Sequence, residues 1–342
     1  MPFLKNAWYV AAWPEEIDRT LLARQITGEH VVMFRQEDGK AVCIEDRCPH
    51  RFAPLSMGTL MGDRIECKYH GLQFDGGGRC VLNPHPPGTV PPKMTTRAYP
   101  LVERHGLMWV WMGDAAQARL DAIPDLAFLR DTAKFRTVRN YFNLPYAVGL
   151  MFDNLMDLSH ADYLHRGLIS QGHGENTQAT MTTTDDGDTV TVNWVLRDSL
   201  PSPTFAKVWK FGPLTDHYRE THFQPPGILK VDLAAVDAGA PRDQGVRLIV
   251  THCVTPETET SLHEFTLRSR NFALGDEAVD RHFIEQQRAV IVEEDGWMLS
   301  AIQRRMDEAE FPDVEPVLFN VDVGAVKVRR VMDRLIAAEQ AV

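Results

Sequence analysis

Short apolar and β-branched runs, separated by turn residues, fill the first third of the chain. Trp8-Tyr9-Val10-Ala11-Ala12, His30-Val31-Val32-Met33-Phe34 and Ala41-Val42-Cys43-Ile44 predict strands. Asp75-Gly76-Gly77-Gly78-Arg79 predicts a turn between Leu72-Gln73-Phe74 and Cys80-Val81-Leu82. Pro84, Pro86, Pro87, Pro91 and Pro92 then leave no room for a helix. Tyr99 to Glu103 and Leu107 to Trp111 close this all-β stretch, which Gly113-Asp114-Ala115 ends.

The period then changes. Residues 147–166 carry a helical pattern, and a strand-rich block comes next, including Thr189 to Val195 and Val246 to His252. A long helical run is expected over about 276–307 and a final amphipathic helix over about 323–340. Ile291, Asp295, Met298 and Ile302 keep helical spacing and predict one buried stripe. There is no internal repeat. The pattern predicts a small β domain, residues 1–116, followed by a larger α+β domain, residues 117–342.

Composition narrows the class. The chain has 342 residues, 44% apolar and 24% charged, as in a globular protein. A formal net charge of −11 argues against nucleic-acid and anionic-membrane partners. No apolar run approaches the roughly 18 residues of a membrane span, and the N-terminus has no secretory h-region. Five cysteines do not make a disulfide framework, so a cytoplasmic setting is expected.

Two of those cysteines carry chemistry. Cys48-Pro49-His50 and Cys67-Lys68-Tyr69-His70-Gly71, with sixteen residues between His50 and Cys67, each put one thiolate and one imidazole on a short loop. Two Cys and two His gripping one centre match a Rieske [2Fe–2S] cluster. Neutral imidazoles in place of thiolates make such a cluster easier to reduce, at about −150 to +300 mV against about −400 mV for plant-type ferredoxins. A Cys2His2 zinc site is the alternative, but zinc fingers usually pair like ligands in each half. The other cysteines, Cys43, Cys80 and Cys253, read as small buried or half-buried residues.

A second cluster begins about ninety residues further on. In a helix Asp153, Asp157 and His160 share a face, bordered by Asn154. His165 lies roughly 140° round from His160, so both reach one metal only if the helix loosens near Asp162. Two His and one carboxylate with open positions form the facial triad of ferrous oxygenases. In Glu293-Glu294-Asp295, Asp295 is the acid on the apolar stripe. An ordinary buried Asp157–His160 pair and a solvated acidic turn remain the alternative.

These residues resemble the oxygenase component of Rieske non-haem iron oxygenases. The branch they are most similar to holds the vanillate and dicamba O-demethylases and toluenesulfonate methyl-monooxygenase. The resemblance runs from Asn6-Ala7-Trp8-Tyr9-Val10 through both metal motifs to Thr255-Pro256-Glu257-Thr258-Glu259-Thr260 and Ser269-Arg270-Asn271-Phe272-Ala273. It implies a helix-grip catalytic domain, with a curved antiparallel sheet around a helix. It implies that Cys48, His50, Cys67 and His70 hold the [2Fe–2S] cluster, and that His160, His165 and Asp295 hold Fe(II). Asn154 would lie beside the iron, and Asp157 would bridge His70 of one subunit to His160 of the next in a homotrimer. O2 would be the co-substrate, and a separate ferredoxin or flavin reductase would supply electrons from NAD(P)H, since no G-x-G-x-x-G follows a strand here. The substrate would be a small aromatic, oxidised at a methyl, methoxy or N-alkyl group. Ring dihydroxylation and a pure electron carrier are the competing functions. His252 matches a substrate-holding histidine of the dicamba branch, but no Asn occurs between Thr221 and Ala240 to match its companion. His222 and Lys230 are read as surface residues, and Trp194, Phe205, Trp209 and Phe283 as candidate pocket aromatics.

Overall fold

A computed structural model describes residues 3–307 and 316–341. The chain divides into two compact units, Met1–Ile123 with Thr255–Thr258, and Pro124–Val254 with Glu259–Val342.

In the first unit, strands form wherever apolar runs meet turns. They are β1 (Trp8–Ala12), β2 (Leu22–Ile26), β3 (Glu29–Arg35), β4 (Ala41–Glu45), β5 (Thr59–Met61), β6 (Arg64–Glu66), β7 (Gln73–Asp75), β8 (Cys80–Leu82), β9 (Ala98–Tyr99), β10 (Leu101–Arg104) and β11 (Leu107–Trp111). They build three antiparallel sheets, in the orders β1-β11-β10, β2-β3-β4-β9 and β5-β6-β7-β8. The run expected from Tyr99 to Glu103 is split at Pro100, which has no N–H for a ladder, and its halves β9 and β10 join different sheets. Residues 255–258 belong here too: the Thr27 and Gly28 amides donate to the carbonyls of Pro256 (2.7 Å) and Glu257 (2.9 Å).

The second unit is a seven-stranded antiparallel sheet with helices. Its strands are β12 (Arg136–Leu144), β13 (Thr180–Asp186), β14 (Thr189–Ser199), β15 (Thr215–Gln224), β16 (Ile228–Asp237), β17 (Val246–Thr258) and β18 (Ser261–Arg270), in the order β12-β18-β17-β16-β15-β14-β13. Its helices are α1 (Val148–Met156), α2 (Ala161–Leu164), α3 (Pro203–Ala206), α4 (Glu277–Arg288), α5 (Gly296–Asp307) and α6 (Val323–Gln340). One apolar core joins the sheet's inner face (Val192, Phe223, Val250) to α1 (Leu155), α4 (Phe283) and α6 (Val328). Among the described residues no helix is long and apolar enough to cross a membrane.

Two expected helices are interrupted. The run 147–166 breaks after Met156. Asp157 is extended (φ −117°, ψ 104°), and its carboxylate caps a new turn by accepting the Ser159 amide at 2.8 Å, the use for which a short acid outcompetes helix continuation. A 3-10 turn, Leu158–His160, then leads into α2, which ends at His165. Asp153 and His160 therefore do not share a helical face. Asp153 instead pairs with Arg329 of α6.

The run 276–307 contains a π-helical segment, Ala289–Asp295, between α4 and α5. The Gly296 amide donates to the Ile291 carbonyl five residues back. A Cβ on Gly296 would lie 2.6 Å from that oxygen, so glycine lets the segment close. The extra residue per turn rotates the faces of α5 by roughly 100° relative to those of α4. The expected stripe is corrected accordingly: Ile291 and Asp295 are 2% exposed, but Met298 and Ile302 are 36% and 37% exposed.

Candidate metal centres

In the first unit, the loops after β4 and β6 share one plan. The Cys48 amide donates to the Ala53 carbonyl and the Phe52 amide to the Cys48 carbonyl, both at 2.8 Å. The Cys67 loop repeats this, Cys67 to Leu72 and Gly71 to Cys67, again both at 2.8 Å. The residue four after each cysteine is left-handed, Phe52 at φ 60° and Gly71 at φ 70°. Both thiols are 1% exposed, and the His50 and His70 rings lie 4.5 Å apart, edge to face. Burial pushes the Cys48 thiol up to about 11, with the Cys67 side chain as a hydrogen-bond neighbour. Two buried thiols beneath two imidazoles fit a cluster ligated by sulfur on one side and nitrogen on the other. Its binding would release the thiol protons.

In the second unit, His160, His165 and Asp295 place their ligand atoms within 4.8 Å of one another. His160 Nε2 is 3.2 Å from His165 Nε2. Asp295 Oδ1 lies 3.1 Å from His165 Nε2 and 3.7 Å from His160 Nε2. Each imidazole is oriented through its other nitrogen: His160 Nδ1–H donates to the Asp157 backbone carbonyl at 2.5 Å, and His165 Nδ1–H to Glu294 Oε2 at 2.6 Å. With each Nδ1 so engaged, both Nε2 atoms face Asp295.

Burial is the largest influence on all three groups. It holds His160 below the usual histidine range despite the Asp295 charge. For His165, Asp295 and Glu294 outweigh burial and raise it, and for Asp295 the two histidines outweigh burial and lower it. A divalent cation held between these three groups would take all three lone pairs at once. Asn154 Nδ2 donates to Asp295 Oδ1 at 3.1 Å, and its own Oδ1 is buried with no partner among the described residues. The donor set thus fits a mononuclear iron site.

These donors line a cavity with about 870 Å³ of empty space, its open mouth included. Leu155, Ile169, Phe205, Val231 and Val250 form its apolar wall, and Arg219, His252 and Arg268 are polar positions on it. His252 Nδ1 is 2.6 Å from Glu264 Oε1. Burial raises the Glu264 carboxyl, and His252 only partly offsets this.

Of the expected aromatics only Phe205 lines this cavity; Trp194, Trp209 and Phe283 do not. His222 and Lys230 are half-buried and line a different hollow with Glu220, Asp232 and Arg247. The Asp157 carboxylate is occupied with Ser159, so within one chain it meets His160 through its carbonyl alone. Glu294, which the apolar stripe does not single out, is the acceptor that orients His165. Glu264, Arg219 and Arg268 had no motif to mark them.

Comparison with known proteins agrees with both centres. Residues 7–100 match the Rieske [2Fe-2S] domain, and residues 147–338 match the vanillate O-demethylase oxygenase C-terminal domain. The chain is 38% identical to the dicamba O-demethylase oxygenase component of Stenotrophomonas maltophilia, over all of both chains. It is also 38% identical to the chloroacetanilide N-alkylformylase oxygenase component of Rhizorhabdus wittichii, over 98% of this chain and 97% of that one. A crystal structure of dicamba monooxygenase bound to 3,6-dichlorosalicylic acid superposes with a TM-score of 0.94, at 36% identity over the whole of both chains. With its Rieske domain, its mononuclear iron site and its full-length relatives, the chain belongs to the Rieske non-haem iron oxygenases, in the branch of the vanillate and dicamba O-demethylase oxygenase components.

Proposed function

We propose that this chain is the terminal oxygenase of a monooxygenase system that demethylates a methoxylated aromatic. Cys48, His50, Cys67 and His70 hold the [2Fe–2S] cluster in domain 1–116. His160, His165 and Asp295 hold Fe(II) in domain 117–342. A separate ferredoxin or flavin reductase, drawing on NAD(P)H, delivers the electrons. The working unit is a homotrimer in which Asp157 links His70 of one subunit to His160 of the next. A reducing cytoplasm suits the free thiols.

The observation that carries this reading is the convergence of His160 Nε2, His165 Nε2 and Asp295 Oδ1 in the lining of an apolar-walled cavity. Bound iron supplies O2 activation, and the protein supplies position and exclusion of water. Asp157 and Glu294 keep both imidazoles facing the centre, while Asn154 holds Asp295 in place. The cavity's apolar wall buries the ring, and His252, steadied by Glu264, contacts the substrate. The methoxy carbon takes one oxygen atom of O2; the other leaves as water with two electrons and two protons. The resulting hemiacetal splits into a phenol and formaldehyde.

The test is reductase-supported turnover over methoxylated, N-alkylated and methyl-substituted aromatics. Formaldehyde in step with O2 uptake from methoxyarenes is expected; a cis-diol product would overturn the reading. N-dealkylation is the second reading, because the chloroacetanilide relative matches as well as the dicamba one.

A further inference from the structure

Arg268 is an expensive residue where it stands. It projects from β18 onto the inner face of the sheet and is 5% exposed. Its hydrogen bond is to a neutral acceptor, the Phe283 carbonyl at 3.0 Å, and its guanidinium lies 4.8 Å from the Phe283 ring centroid. Its Nε is buried without a partner among the described residues, and no carboxylate pairs with it there. Arg219 reaches the same cavity from β15. No ion pair or hydrogen bond to its side chain is found among the described residues, and Asp162 and Glu175 act on it only through their charge.

The neighbouring acids are engaged elsewhere. Glu264 is bound to His252 at 2.6 Å. Asp162 accepts from Asn176 and Thr177, Glu175 accepts from the His173 amide, and the one Ser170 hydroxyl proton is shared between the two acids. Arg270, two residues along β18, has Asp280 at 2.5 Å, so this strand pairs a buried arginine where no ligand is to be met. Burying an unpaired guanidinium is unfavourable unless an anion joins it. Because its fork suits two oxygens of one group, the matching anion is a carboxylate or sulfonate.

We infer that Arg268, with Arg219, forms an oxyanion subsite in the wall of this cavity that holds the carboxylate or sulfonate of the substrate. The inference rests on the reading that this cavity holds the substrate, and it assigns the selectivity to residues other than His252.

Affinity measurement keeps it separate from turnover. Calorimetry on the anaerobic holoenzyme would compare 2-, 3- and 4-methoxybenzoates and the matching benzenesulfonates with their uncharged amides and sulfonamides. At least one acid should bind about tenfold or more tightly than its amide, the range for one charge-assisted hydrogen bond. The better of the carboxylate and sulfonate series identifies the group. Arg268→Met should bring that ratio to about twofold or less, Arg268→Lys should keep part of it, and Arg219→Gln should reduce it. If every wild-type acid–amide pair lies within about twofold, the subsite does not exist, whether or not Arg268→Met folds. If Arg268→Met folds and keeps the full ratio, Arg268 is not its basis. Formaldehyde release from an uncharged methoxyarene alongside equal affinities would leave the oxygenase reading standing and sink this one.

Discussion

The Cys48 and Cys67 loops position each cysteine with backbone hydrogen bonds that span no more than five residues, and the second loop copies the first. His160, His165 and Asp295 are drawn from segments about 130 residues apart. Their geometry needs a helix broken at Asp157, a turn ended at His165 and a π segment closed by Gly296. The first centre is built from two loops that are each shaped by local hydrogen bonds. The second depends on how one unit packs, so changes to its backbone or supporting residues should reach the metal.

The largest test of that difference removes one donor from each centre. His160→Ala should abolish oxygenation, with a loss of at least about a thousandfold, and leave the Rieske absorption and EPR signals intact. Cys67→Ser should do the reverse, losing the cluster spectrum while the mononuclear site still takes up Fe(II). Retained turnover in the first variant, or joint loss of both metals in either, would erase the distinction.

Next in size is Gly296→Ala. Its Cβ would meet the Ile291 carbonyl at 2.6 Å, so the π segment must shift, at a cost of about 1–3 kcal/mol. A lower melting temperature together with weaker iron retention is expected, with the cluster content unchanged. Glu294→Ala should be milder in stability but specific to the iron. Removing the acceptor of His165 Nδ1 is expected to weaken iron affinity about 10- to 100-fold, read by chelator competition. The smallest effect falls in the first centre. Phe52 occupies the left-handed position that glycine holds in the other loop. Phe52→Gly should be neutral or stabilise by up to about 1 kcal/mol, with an unchanged cluster spectrum, as monitored by thermal melting.

Legibility in the sequence divides the same way. The strands and Cys/His loops of the first unit are encoded by neighbours, so β1 and β11 fall where the apolar runs place them. The donors of the second centre are recognisable by residue type and resemblance, but their geometry is not readable from a helical wheel. A regular period puts Asp153 beside His160 and makes Met298 and Ile302 core residues. The Asp157 cap and the π segment break that period, and neither leaves a signal in apolar spacing. On β18, Glu264 and Arg268 alternate with apolar residues, which a two-residue period reads as a solvent face. They point inward because the cavity lies there and because His252 and Phe283 receive them. Glu294 is hidden for a related reason, since the π turn brings it to His165 alongside Asp295.

The most direct measurement of two separate centres is the iron-to-sulfide ratio of purified Asp295→Asn against the wild type. A Rieske cluster plus one mononuclear ion predicts about three irons per two acid-labile sulfides in the wild type and about two per two in the variant, with an unaltered Rieske EPR signal. A third iron retained at wild-type affinity in Asp295→Asn, or a cluster lost along with it, would contradict the account.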